Sequence, residues 1–95
     1  RAWHLANAVC ALEATMFDKH AREMFDQQLE SAKGWSPLCK GQAETDMAYA
    51  QGMVAYALIR GDIGHEEAAR MNNTVKSVRL NRTAKEIREQ RMAAA

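Results

Sequence analysis

The sequence predicts an all-α protein, on three observations. No Gly or Pro interrupts the chain from Ala2 to Lys33. Alanine, the strongest intrinsic helix former, occurs eighteen times against one Pro and five Gly. Apolar residues recur at three-to-four spacing, and strict alternation is absent. A chain of 95 residues has room for a single small core and is marginal alone, so the expectation is one helical domain over 1–95, a bundle or helical hairpin completed by dimerisation.

The first element is a long amphipathic helix over about 2–33. Leu5, Val9, Leu12 and Met16 begin an apolar stripe that continues through Phe17, Ala21, Met24 and Gln28. Gly34 supplies a helix-ending residue, because glycine accepts the left-handed conformation that satisfies the last carbonyls. In Trp35-Ser36-Pro37, Ser36 is placed to cap a second helix and Pro37 to open it. That second helix is expected over about 42–60, with Glu44 and Asp46 near its positive end and a stop at Arg60-Gly61. Asp62 is the expected cap of a third helix over 63–92, with Glu66 and Glu67 in its first turn. Its apolar stripe, Ala68, Met71, Val75 and Val78, shifts to Leu80, Ala84 and Ile87, and Asn72-Asn73-Thr74 leaves open whether one helix or two follow Asp62.

The second helix holds the most informative segment. From Met47 to Ile59 only Gln51 is strongly polar, and Ala48, Gly52 and Ala55 place small residues on one side. A helix apolar all round has to be covered all round. Two neighbouring helices of one short chain cannot do that, so a second protein surface is expected. Tyr49 and Tyr56, seven residues apart, share a face, and tyrosine offers large contact area with a polar tip. Met47 and Met53 add adaptable side chains, and Trp35 is an indole in a loop. Met47, Tyr49, Met53, Tyr56 and Trp35 are therefore the candidate protein interface, each weighed against an ordinary core role.

Formal net charge is +1, but residues 1–69 hold six Lys/Arg against ten Asp/Glu, while residues 70–95 hold seven against two. The two parts are set to attract each other, within one chain or between two. Lys76, Arg79, Arg82, Lys85, Arg88 and Arg91 recur at every third residue. A period of three slips by about 60° per step on a helix of 3.6, so the row winds around the rod. Lys76, Arg79, Arg82, Lys85 and Arg88 are candidate contacts to nucleic acid or an acidic partner, with ion pairs of Arg82 to Glu86 and Lys85 to Glu89 as the internal alternative.

His4, His20 and His65 are widely separated, no Glu-x-x-His element occurs, and Cys10 and Cys39 form no Cys-x-x-Cys pair. No cofactor, metal or catalytic set is expected, and the chain reads as no enzyme. No apolar run approaches the roughly 20 residues of a membrane span, and the opening lacks a basic-then-apolar leader, so a cytoplasmic protein with no membrane contact is expected.

In its length, its long first helix, the apolar segment Ala48 to Ile59, the turn from Leu58 to Ile63 and the absence of a catalytic signature, the chain resembles the small all-helical bacterial antiactivators of quorum-sensing transcription factors, the QslA/TraM-like proteins. That resemblance is one of kind and carries over no contact residue. It implies a homodimeric regulator that sequesters a transcription factor by covering its dimerisation or DNA-binding surface. The reading is a non-enzymatic protein–protein interaction module, the alternative a nucleic-acid-binding regulator using the basic C-terminal helix.

Overall fold

The computed structural model describes residues 19–94, which form a small all-α bundle without strands. Residues 19–34 are helical (α1), followed by α2, Lys40–Arg60, and α3, His65–Ala94. The pairings fix the arrangement. Arg22 meets Glu67 at one end and Arg82 meets Ala32 near the other, so α1 and α3 run parallel. Ser31 pairs with Asp46 and Arg79 with Glu44, so α2 runs antiparallel to both.

Each helix turns one seam inward. Phe25, Leu29 and Ala32 come from α1, and Ala43, Met47, Ala50, Val54 and Ala57 from α2. Ala68, Val75 and Val78 come from α3, and Ile63 closes the end from the connecting loop. The alternating three- and four-residue steps are those of helices packed at a shallow angle. Five of the twelve buried apolar residues are alanines, which brings the helix backbones close.

Several boundaries and stripes differ from the sequence expectation. The α1 seam is one residue away from Ala21, Met24 and Gln28. Phe25 and Leu29 bury more apolar area than Gln28 offers, so they win the interior, leaving Met24 exposed. The expected helix over 2–18, with Leu5, Val9, Leu12, Met16 and Phe17, lies outside the described residues, as does Cys10.

Ser36 does not cap α2. The Cys39 amide donates to the Ser36 carbonyl at 2.9 Å and the Leu38 amide to Ser36 Oγ at 3.2 Å, a turn with Pro37 at its second position. Cys39 then occupies the N-cap with no side-chain hydrogen bond, and α2 starts two residues earlier than expected. The end of α2 falls where glycine chemistry places it. Gly61 adopts φ 78°, its amide donates to Leu58 O at 3.1 Å, and the Asp62 amide donates to Ala57 O at 2.9 Å. Asp62 faces Arg60 instead of capping α3, which begins at His65. No break occurs at Asn72-Asn73-Thr74: α3 is one helix, and those polar residues are exposed on it.

The shifted stripe Leu80, Ala84 and Ile87 is also exposed. The inward line of α3 continues from Val78 to Arg82 and the half-buried Glu86, and every described residue beyond Glu86 is exposed. With 30 residues against 21 in α2, α3 is about 14 Å longer and outruns the surface that could bury an apolar continuation.

Arg82 is the one buried charged residue among those described, 5% exposed. Its Nη1 donates to Ala32 O and Trp35 O, both at 2.8 Å, and its Nη2 to Ser36 O at 3.0 Å, with Glu86 Oε1 3.9 Å away. The planar guanidinium fork thus collects carbonyls at the negative end of α1 and in the turn that follows. At the other end Glu67 accepts from Arg70 and pairs with Arg22, joining α1 to the first turns of α3. The Arg70 hydrogen bond, with the nearby Arg22 charge, lowers the Glu67 pKa from its usual 4.5 against an opposing desolvation effect.

Two outcomes are expected. Arg82→Ala loses about 3 kcal/mol in urea unfolding, because it strands buried carbonyls as well as removing the cation, and Arg82→Lys recovers only part, since one ammonium cannot span the fork. A carboxylate held below 4.5 in the folded chain stabilises it at neutral pH and loses that advantage on protonation. The stability gap between wild type and Glu67→Gln is therefore open at pH 7 and closes as pH falls below about 4.5, measured by unfolding across the acid range.

Candidate functional site: the outer face of α2

The inward seam of α2 uses Met47, Ala50, Val54 and Ala57, and the opposite side is left without cover among the described residues. Ala48, Tyr49, Gly52, Ala55, Tyr56 and Ile59 are all exposed there, Tyr49 at 54%, Tyr56 at 57% and Ile59 at 83%. No atom comes within 4 Å of a Cβ built on Gly52, so the α2 backbone is open at that point. The helix without a wet face therefore has one buried apolar face and one uncovered apolar face.

Between α1 and α2 runs a groove of about 200 Å³, lined by His20, Ala21, Met24, Met53 and Ala57 and flanked by Tyr49 and Tyr56. The two tyrosines stand seven residues apart on the same helix, as their spacing requires, and reach the groove from one side. Met24 and the half-buried Met53 give it a soft apolar floor. Beyond Tyr56 the Arg60 guanidinium lies 5.8 Å from the ring centroid, where the aromatic face attracts a cation. Its hydrogen bond with Tyr56, then the Asp62 charge, raises the Arg60 pKa further above its already high value. One end of the patch is thus polar and cationic while its middle carries no charge.

Of the five expected interface residues, the structure brings Tyr49, Met53 and Tyr56 together. Met47 is corrected: at four and seven residues from Ala43 and Val54 it falls on the buried seam, and it fills the core. Trp35 stands apart from the groove and remains 40% exposed. Its Nε1 donates to Asp46 Oδ2 at 2.9 Å, the same oxygen that accepts from Ser31 Oγ at 2.6 Å, so the half-exposed indole braces the α1–α2 corner. Met24, Ile59 and His20 complete the patch, although none of them is among the expected interface residues. Ile59 was legible as the next turn beyond Tyr56, whereas Met24 had been assigned to the interior stripe.

The basic candidates divide as well. Arg79 donates to both Glu44 oxygens, at 3.2 and 2.7 Å, and to Gln51 Oε1 at 3.1 Å. Arg82 is buried on carbonyls, so neither offers a free cation to a phosphate backbone. Lys76, Lys85 and Arg88 are exposed. The expected Arg82–Glu86 pair is present at 3.9 Å, and no Lys85–Glu89 pair forms.

Among the described residues no three His, Cys, Asp or Glu side chains converge as a metal site would require, and no helix is long and apolar enough to cross a membrane. Comparison with protein-family models, with curated proteins and with solved structures finds no match for this chain.

Proposed function

We propose that this chain is a non-enzymatic protein-binding module, a small cytoplasmic regulator that self-associates and holds another protein against the outer face of α2. One observation supports it above the rest: Tyr49, Tyr56 and Ile59 stand exposed beside the α1–α2 groove, while the buried seam of the same helix completes the core without them. Folding gains little from two half-exposed tyrosines on an uncharged helix face. A partner helix gains from them, because large amphipathic rings around an apolar groove are the usual anchors of helix-in-groove recognition.

The partner this surface suits presents an apolar helical face with small side chains at its centre, where Gly52 permits close approach, and an acidic group toward Arg60. Sequestration of a transcription factor is the specific form of the proposal, and it rests on the resemblance in kind to the antiactivators. A nucleic-acid role through α3 has less to draw on, since Arg79 and Arg82 are engaged inside the chain.

The test is affinity capture from the native host with the wild-type chain and a Tyr49→Ser/Tyr56→Ser variant, each also unfolded in urea. The wild type is expected to retain a partner that the variant loses, with about 30-fold weaker binding per tyrosine and unfolding free energies within about 1 kcal/mol of each other. Undiminished capture, or a variant several kcal/mol less stable, would make these tyrosines plain structural residues.

A further inference from the structure

The face shared by α1 and α3, on the side away from α2, carries the two signs of charge in two separate places. Arg22 reaches Glu67 across it near one end. Near the other end Lys33, Asn81, Lys85 and Arg88 line a groove of about 400 Å³ between the helices. Arg22, Asp26, Glu30 and Lys33 follow one another at four, four and three residues, so they form a single strip of α1 beside α3. Glu23 lies three residues before Asp26 and seven before Glu30, on the same side. Glu23, Asp26 and Glu30 are exposed, as are Lys85, Arg88 and Arg91.

Within the chain these charges meet at one point, where Lys33 Nζ donates to Glu30 Oε1 at 3.1 Å. Because α1 and α3 are parallel with Ala32 beside Arg82, Lys85 and Arg88 stand around the end of α1, beside Lys33, while Glu23 and Asp26 lie well before it. Glu23, Asp26, Lys85, Arg88 and Arg91 make no ion pair among the described residues. The acidic stretch Glu23–Glu30 and the basic stretch Lys85–Arg91 have nearly equal lengths, about 10 and 9 Å.

We infer that this face is where two copies of the chain meet, about a two-fold axis that sets Glu23 and Asp26 of each copy against Lys85 and Arg88 of the other. A two-fold contact needs both halves of its complementarity on one surface, and this surface has both. A uniformly acidic or basic partner matches one half and is repelled by the other. The inference gives a location to the self-association named above and is independent of the α2 tyrosines, so the two fail separately.

Sedimentation equilibrium of the full chain tests it with wild type, Lys85→Glu/Arg88→Glu, Glu23→Lys/Asp26→Lys, their equimolar mixture and the fourfold variant. Wild type is expected to dimerise with a Kd that rises about tenfold between roughly 50 and 500 mM salt. Each reversal alone gives monomer, with circular dichroism and urea unfolding showing an intact fold, while the mixture and the fourfold variant recover dimer. A monomeric wild type, a dimer indifferent to either reversal, or a mixture that stays monomeric overturns the inference.

Discussion

A cation buried in a bundle of 76 described residues needs compensation, and Arg82 finds it in the carbonyls of Ala32, Trp35 and Ser36. Removing a guanidinium from water costs several kcal/mol, and hydrogen bonds to the negative end of a helix are among the few partners able to offset that. The consequence is topological. The end of α1, the α1–α2 turn and α3 are tied at one point, so α1 is fixed against α3 although the chain joins them only through α2. Ser31 and Trp35 converge on Asp46 at the same corner and fix α2 to it. With that corner closed and the Arg22–Glu67–Arg70 cluster holding the opposite end, a core rich in alanine suffices.

That economy explains why α2 has an idle face. Alanine-rich seams let three helices approach closely, and the interior is then full with Met47, Val54, Phe25, Leu29, Val75 and Val78. There is no inner position left for Tyr49, Tyr56 or Ile59. In a protein that only needed to fold, those places would suit Lys, Glu or Gln, and more than three helical turns without a charge, from Met47 to Ile59, are hard to account for by solvent exposure alone. The proposed binding role follows from this division of one helix into a working seam and an uncharged, uncovered side.

The glycine stop of α2 and the spacing of the core seams were legible in the sequence, whereas the choice between competing local turns and the contacts made by distant partners were not. The stop at Gly61 was readable because a left-handed residue there satisfies the Ala57 and Leu58 carbonyls whatever surrounds it. The seam Ala68, Met71, Val75 and Val78 was readable from its spacing, as was the pairing of Tyr49 with Tyr56 on one face. Ser36 and Asp62 looked like caps because their side chains favour that role, but a turn claimed one and Arg60 faced the other. Leu80, Ala84 and Ile87 looked like core because periodicity cannot report where neighbouring helices end. Arg82 read as a surface cation, since the carbonyls that hold it come from 46 to 50 residues away.

The role of Arg82 is open to a direct measurement by native-state hydrogen exchange on wild type and Arg82→Met. If the guanidinium is what holds α1 in place, amides of residues 25–34 will exchange much faster in the variant while those around Val54 and Val75 keep most of their protection. Equal acceleration across all three helices, or no change near Ala32, would mean that packing alone positions α1 and that the buried cation does not organise the fold.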